Sequence, residues 1–220
     1  MNEIGKLAVI KFGHPPFIDA SCRREPDFEN NYPSITSICR QGMFAPRLRE
    51  NDIVVYLSTK RKYYDDDQAN NKLIAFLQVD KIFETHQLAF EWYKKNNFPT
   101  PSNCMVDNNS PYNFDHTASN FETSKEIKAY LLKSDEDRKR QGQFILRLWD
   151  NKYKGSTDKW KMFVKTKPLL VEFNKPISLF KADLETIFGE IIPNTRCGPS
   201  IKFHHLEKLA LIAGIKLVIK

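Results

Sequence analysis

The chain has 220 residues, of which 41% are hydrophobic, and its formal net charge is +7. Sixteen Phe, eight Tyr and three Trp supply a sizeable core, which excludes an intrinsically disordered protein. Eight Gly argue against collagen-like and glycine-loop proteins, and no apolar run approaches the roughly 18–20 residues of a membrane span. We expect one large domain in a cytoplasmic protein, because the N-terminus does not resemble a signal peptide.

Basic residues are concentrated in the second half of the chain. Residues 1–122 contain 14 Lys and Arg and 16 Asp and Glu, whereas residues 123–220 contain 20 and 11. Within residues 147–181, nine basic residues accompany three acidic ones, and aromatic residues are interleaved. This pattern is typical of a surface that follows phosphates, although a solvated, lysine-rich face of a strand pair has the same composition.

The N-terminal third predicts a strand, a long loop and a short helix. Leu7–Phe12 is apolar and is expected to form a buried strand, followed by a loop through Asn31. Pro33 suits the first turn of a helix that ends near Gln41, and Gly42 suits a left-handed cap after it.

Two longer strands and a helix are predicted next. Asn51-Asp52 is expected to turn the chain into the strand Ile53–Ser58, and Leu73–Phe83 is the longest strand predicted. Thr85 is expected to cap a helix that ends near Asn96 and that places Leu88 and Trp92, with Phe90 or Tyr93, on its inner side.

The rest of the chain alternates between loops, strands and helices. Strands outnumber helices, and their short connections favour an α+β fold with a curved, mostly antiparallel sheet or small barrel and flanking helices. We expect a core over 1–175 and a C-terminal helical extension over 176–220. The remaining predicted elements are a loop over Phe98–Phe121, a helix over Lys125–Lys133, strands near Phe144–Trp149, Trp160–Lys165 and Leu169–Phe173, and helices over Pro176–Gly189 and Phe203–Ala213.

Catalytic signatures are almost absent from the sequence. The chain has no GxGxxG, GxxxxGK[ST], HExxH or GxSxG pattern. Its four cysteines form no CxxC pair, so zinc would require distant ligands such as Cys197, His204 and His205, and Cys22 is interpreted as a buried thiol. We therefore assign no catalytic residue and expect neither a metal ion nor another cofactor.

The loop after the first strand is dense in polar residues. Asp19, Ser21, Arg23 and Arg24 lie close together in sequence beside aromatic residues. Such a loop suits the edge of a pocket that fixes a planar ligand by hydrogen bonds. Internal pairs between arginines and carboxylates that brace the loop are the alternative.

Five segments then follow one another in a recognisable order: LAVIKF at 7–12, RREPD at 23–27, ICRQGMFAPRL at 38–48, ENDIVVYLS at 50–58 and KLIAFLQVDKIFE at 72–84. This order resembles the PUA-like superfamily, which includes the EVE, ASCH and YTH readers of modified bases. The likeness is greatest to nucleotide-modification-associated domains, found near DNA modification and restriction genes, and it covers roughly residues 7–95.

The resemblance implies a nucleic-acid-binding module that reads a modified or flipped base in DNA, or alternatively in RNA, with no membrane contact and no enzymatic activity. A protein-interaction module of a defence or phage system, and a nuclease or base-processing enzyme on the same fold, are the alternatives. The implied ligand-binding residues are Asp19, Ser21, Arg23, Arg24, Trp92, Ser102, Asn103 and Trp149. The implied phosphate-binding residues are Arg40, Arg47, Lys152, Lys154, Lys159, Lys161 and Lys165. Trp92 and Trp149 also have inward phases, which favour core packing as their alternative role.

Overall fold

The protein is described by a computed structural model. It describes residues 5–10, 26–28, 30–38, 42–60, 62, 66–101, 103–106, 134, 136–137, 140, 157–172, 175–189 and 199–217. The predicted helix over Lys125–Lys133 and the predicted strand near Phe144–Trp149 lie outside these residues.

Within the described residues the fold is α+β, as predicted, with seven strands and three α-helices. A short 3-10 helix, Ala45–Arg47, lies between the second and third strands. In chain order the elements are β1 Gly5–Ile10, β2 Ser34–Thr36, β3 Ile53–Ser58, β4 Asn71–Phe83, α1 His86–Lys95, β5 Phe163–Val171, β6 Ile177–Leu179, α2 Lys181–Phe188, β7 Ser200–Ile201 and α3 Phe203–Ile212.

The strands form one mixed, mostly antiparallel sheet. Its order is β2-β5-β4-β3-β1-β7, and β6 pairs with the start of β4. Only β1 and β3 pair in parallel among the described strands. The strands predicted at Leu7–Phe12, Ile53–Ser58 and Leu73–Phe83 correspond to β1, β3 and β4, and all three lie in the interior of the described sheet. The described sheet has open edges at β2 and β7 and is therefore not closed into a barrel.

Both faces of the central strands are covered. All six residues of β3 are buried, as expected of a strand enclosed on two sides. One face packs against the segment that contains Phe28, Phe44 and Leu48. The other face is covered by α2 and α3 at one end and by α1 at the other.

The helix predicted to begin at Pro33 is wrong over its first turn, because residues 34–36 form β2. Ser34, Ile35 and Thr36 pair with Lys165, Val164 and Phe163 of β5. The Pro33 carbonyl also accepts hydrogen bonds from the backbone N–H of Thr166 at 2.8 Å and from its hydroxyl at 2.6 Å. Pairing with a distant strand therefore outweighs the local helical signal, although Gly42 does have the expected positive φ, 79°.

The two strands predicted on either side of Pro168 are one strand, β5. Pairing of β5 with β2 extends only over residues 163–165, so β5 lies at the edge of the described sheet where Pro168 occurs. A proline is tolerated there because its missing N–H does not interrupt a ladder on that side. The pairing with β4 also shifts register beside Leu77, the partner of Pro168.

Helix α1 confirms the predicted cap, and of the predicted inner face it corrects only Leu88, because Tyr93 is buried and Trp92 packs against the same cluster. The Thr85 hydroxyl accepts a hydrogen bond from the backbone N–H of Leu88 at 3.1 Å. The buried side is formed by His86, Ala89 and Tyr93, whereas Leu88 is 46% exposed.

The C-terminal elements are described as two helices and two short strands. The helix predicted from Pro176 is replaced over residues 177–179 by β6 and begins only at Lys181. The helix ending before Gly214 is confirmed, with a φ of 65° at that glycine.

Asn51, in the turn before β3, has a left-handed backbone conformation whose energetic cost can be tested by substitution. Asn51 has a φ of 73°, and its N–H donates to the Val79 carbonyl at 2.9 Å. Replacing Asn51 with Ala should lower the free energy of unfolding by about 1 kcal/mol, because Asn tolerates the left-handed conformation through local hydrogen bonds of its short polar side chain and Ala has no such group. Asn51→Gly should not show this loss. Urea denaturation measures the free energy of unfolding of both variants. If Asn51→Ala were as stable as the wild type, the proposed cost of the left-handed conformation would be contradicted.

Candidate nucleic-acid interface

A band of polar residues crosses the face of the sheet that also carries the three α-helices. We call Gln78, Asp80, Lys81, Lys165 and Lys167 the polar band. Gln78 pairs with Lys167, and Lys81 pairs with Lys165, so the two pairs lie on β4 and β5. On one side of the band lies an apolar cluster under α1, and on the other lies an apolar cluster under α2 and α3. The cluster under α1 consists of Phe83, Ala89, Tyr93, Cys104 and Phe163, and the cluster under α2 and α3 includes Leu184, Ile187, Leu206 and Leu209.

A β-bulge places the acidic residue of the band. The register of β4 against β5 shifts between Val79 and Lys81, which leaves Asp80 as the extra residue. Bulges re-aim side chains that regular alternation would place elsewhere. The Asp80 carboxylate consequently contacts the side chains of both Lys165 and Lys167.

Lys165 is enclosed by opposite charge and aromatic rings. Its ammonium forms an ion pair with Asp80 and lies 4.2 Å from the Tyr32 ring centroid and 4.7 Å from that of Trp92. Its side chain is only 4% exposed. The structure thus places Lys165 inside the fold, with its charge balanced, rather than on the exposed surface that the predicted phosphate contact requires.

The other two lysines of the polar band are exposed. Lys167 has 58% of its side chain exposed, and its Nζ lies 2.5 Å from Asp80 Oδ1. Lys81 is exposed and extends over the Phe83 ring at 5.3 Å. The band therefore has three lysines and one aspartate, and two of those lysines face solvent.

The charges of the band also set the ionisation of Asp80. Burial by itself would raise the pKa of this carboxyl, but the hydrogen bonds and charges of Lys165 and Lys167 outweigh it and hold the pKa below its ordinary value. The hydrogen bond to Asp80 in turn raises the pKa of Lys167. Both groups are consequently charged at neutral pH.

Trp92 borders the polar band but is packed on its ring faces. It stacks on Phe98 with ring centroids 5.8 Å apart and planes at 22°, and it meets Tyr32 edge-on at 6.2 Å. The Lys165 ammonium lies over the ring as well. The structure thus brings together two predicted site residues, Trp92 and Lys165, in contacts that suit packing within the fold.

Asn103 lies in the interior rather than over a pocket. It is fully buried, its Oδ1 accepts from the Ser34 hydroxyl at 2.6 Å, and its amide donates to the Ser34 carbonyl at 3.0 Å. These bonds fasten the segment after α1 to β2. Burial also raises the pKa of the neighbouring Cys104 thiol to about 12, which excludes a reactive thiolate there at neutral pH.

Three of the predicted phosphate-binding residues lie on the surface. Arg47 ends the short 3-10 helix and is exposed, and Lys159 and Lys161 are exposed just before β5. Between these lysines Trp160 is only partly buried, and the Lys159 ammonium lies 5.3 Å from its ring centroid.

The other predicted site residues lie outside the described residues. They are Asp19, Ser21, Arg23, Arg24, Arg40, Ser102, Trp149, Lys152 and Lys154.

The structure adds residues that the sequence interpretation did not select. Asp80, Lys81, Lys167 and Trp160 carry polar or aromatic groups beside the predicted ones. Lys167 could have been selected from the sequence because it alternates with Lys165 along a predicted strand region. Trp160 could have been selected because it lies between two lysines. Asp80 had no such signal, because its role depends on a bulge.

Neither the comparisons nor the described residues identify a cofactor or a relative. No family model, curated protein or solved structure matches the chain. Within the described part of the chain no cluster of three or more His, Cys, Asp or Glu side chains is arranged to hold a metal ion. No helix in that part is long and apolar enough to span a membrane.

Substitution of Lys165 and Lys167 should distinguish the stability contribution of a buried lysine from that of an exposed one. Lys165→Met leaves Asp80 without its enclosed partner and should lower the free energy of unfolding by about 3 kcal/mol, as when one member of a buried pair is removed. Lys167→Met is the matched control and should cost far less, because solvent screens that pair. Urea denaturation measures both, and equal losses would contradict the assignment of Lys165 to the interior.

The lowered pKa of Asp80 predicts a specific loss of stability in acid. Its ionised form contributes stability fully above the ordinary carboxyl pKa of 3.8, and this contribution disappears as the pH falls through the lower pKa of the folded protein. As the pH falls from about 5 to below the ordinary pKa of 3.8, the wild type should therefore lose more stability than Asp80→Asn. Asp158→Asn, at an exposed position before β5, is the matched control. Identical urea midpoints across this range for wild type and Asp80→Asn would contradict the prediction.

Proposed function

We propose that this protein is a nucleic-acid-binding module. The observation that carries the proposal is the polar band, which presents exposed Lys81 and Lys167 on a sheet face between helical covers. Exposed Lys159 and Lys161 precede the same strand, β5, in the sequence. Exposed lysines can contact the phosphates of a nucleic acid.

The charge distribution supports the same proposal. The basic excess lies in residues 123–220, the half of the chain that contributes β5. Phosphate contacts supply most of the non-specific affinity for nucleic acid and position the protein. Gln78 adds an amide, a group that reads the hydrogen-bonding edge of a base.

We further propose that the module reads a modified or flipped base in DNA and is related to the PUA-like superfamily. The support is the order of motifs over residues 7–95 together with the interior position of β1, β3 and β4. Arg23 or Arg24 is the proposed base-edge or phosphate ligand, because a guanidinium fork bonds bidentately to either. A link to DNA modification or restriction follows from the same resemblance.

One observation favours a protein-interaction module as the second candidate. Leu211 of α3 is 81% exposed, and the adjacent Ile212 is 39% exposed. Exposed apolar surface rimmed by polar residues marks protein-interaction sites where it is contiguous. This surface is separate in sequence from the lysines of the polar band and from residues 159–161.

Salt-dependent binding tests the proposed function. Wild type should bind labelled oligonucleotides with an affinity that falls as salt rises. Lys161→Gln and Lys167→Gln should each flatten the slope of log K against log salt by about 0.9 for duplex DNA or about 0.7 for a single strand, as expected for one lost phosphate contact. Lys216→Gln, an exposed lysine after α3, is the charge-matched control and should keep the wild-type slope.

Oligonucleotides with and without base modifications test the finer proposal. A reader should prefer one modified base over its unmodified counterpart at constant salt, and Arg23→Lys or Arg24→Lys should reduce that preference. Absence of salt-sensitive binding to every oligonucleotide would contradict the nucleic-acid proposal. Binding without any preference for a modified base would contradict only the reader proposal.

A further inference from the structure

Trp160 differs from Trp92 in its surroundings. Trp92 packs with the cluster under α1, whereas Trp160 belongs to none of the three apolar clusters of the described residues. Among those residues its ring interaction is with the ammonium of Lys159, 5.3 Å from the ring centroid. A large, partly exposed ring is thus held at the surface without forming part of the described core.

The backbone beside Trp160 supports the ring from one side. The N–H of Ser37 donates to the Met162 carbonyl at 2.9 Å, and the N–H of Gly42 donates to the Ser37 carbonyl at 2.6 Å. A Cβ placed on Gly42 would lie only 3.0 Å from Cδ1 of Trp160. The glycine therefore allows the backbone to approach the indole closely, and the position of the ring is tied to β2 and to the start of β5.

The flanking charges identify the chemistry of a ligand for this ring. Lys159 and Lys161 are exposed on either side of Trp160, and the exposed acidic neighbour is Asp158. We propose that Trp160 stacks on an unpaired base of a single-stranded nucleic acid while Lys159 and Lys161 contact the adjoining phosphates. This inference rests on the proposed function and adds a second contact site to the polar band.

The ring geometry favours unpaired bases over a duplex. Bases inside a duplex are stacked on both faces, so a surface ring reaches a base plane only where the strand is single or the base is splayed out. Every base has a π-face, so such a platform tolerates any sequence. Lys159 is expected to leave the ring when a base arrives and to contact a phosphate instead, at little cost because the lysine is exposed.

An abasic oligonucleotide separates stacking from phosphate contact. We would measure fluorescence anisotropy of labelled oligothymidine and of an abasic oligonucleotide of the same length. Wild type should bind oligothymidine more tightly, by about 5- to 150-fold for one stacked base. Trp160→Ala should reduce the ratio of the affinity for oligothymidine to the affinity for the abasic strand to about one, without changing the affinity for the abasic strand. Trp160→Phe should retain most of this affinity ratio.

Further variants and ligands make the outcomes distinct. Trp160→Leu keeps an apolar side chain beside Gly42 and should also abolish the ratio, which guards against misfolding of Trp160→Ala. Lys161→Gln should weaken binding of both oligonucleotides equally. An affinity ratio near one in the wild type would overturn the stacking site, and so would a ratio that remains high in both Trp160→Ala and Trp160→Leu. Either result would leave salt-sensitive binding and the proposed function intact. Wild type that binds neither strand but binds duplex DNA would overturn the stacking site alone, whereas wild type that binds no oligonucleotide, single-stranded or duplex, would overturn both.

Discussion

The ion pair between Lys165 and Asp80 is the constraint on which this face of the sheet depends. A buried ammonium costs several kcal/mol of desolvation unless an opposite charge and further contacts compensate it. Here the carboxylate of Asp80 and the rings of Tyr32 and Trp92 surround it. Because the pair lies on β4 and β5, the apolar layers under the helices are interrupted there, and the exposed Lys167 completes a polar band between them.

The bulge in β4 is the backbone feature that makes this arrangement possible. Side chains alternate between the faces of a strand, so Gln78 and Lys81, three positions apart, share a face only if one residue is inserted between them. Asp80 is that residue, and Lys165 and Lys167 of β5 alternate regularly opposite it. Two lysines and one carboxylate consequently meet at this bulge, and a second register shift of the same ladder lies between Phe76 and Leu77.

Elements defined by local signals were predictable from the sequence, and those defined by distant pairing were not. The apolar, β-branched run of β3 and the Thr85 cap of α1 both occur where predicted. β2 was missed because its partner β5 is about 130 positions away, so Pro33 gave only its local signal. For the same reason the sequence selected Lys165 for its charge, whereas its burial depends on Asp80, 85 residues earlier.

Trp92 and Trp160 each have a lysine ammonium over the ring, but the two lysines differ in burial and in ion pairing. In the first, Lys165 over Trp92 is enclosed with its counterion, so a ligand that displaced it would leave Asp80 in a partly buried position without its main partner. In the second, Lys159 over Trp160 is exposed and has no ion pair among the described residues, so it can move at little cost. Stacking of an incoming base is therefore expected on Trp160 rather than on Trp92, and the polar band is left to contact phosphates and base edges.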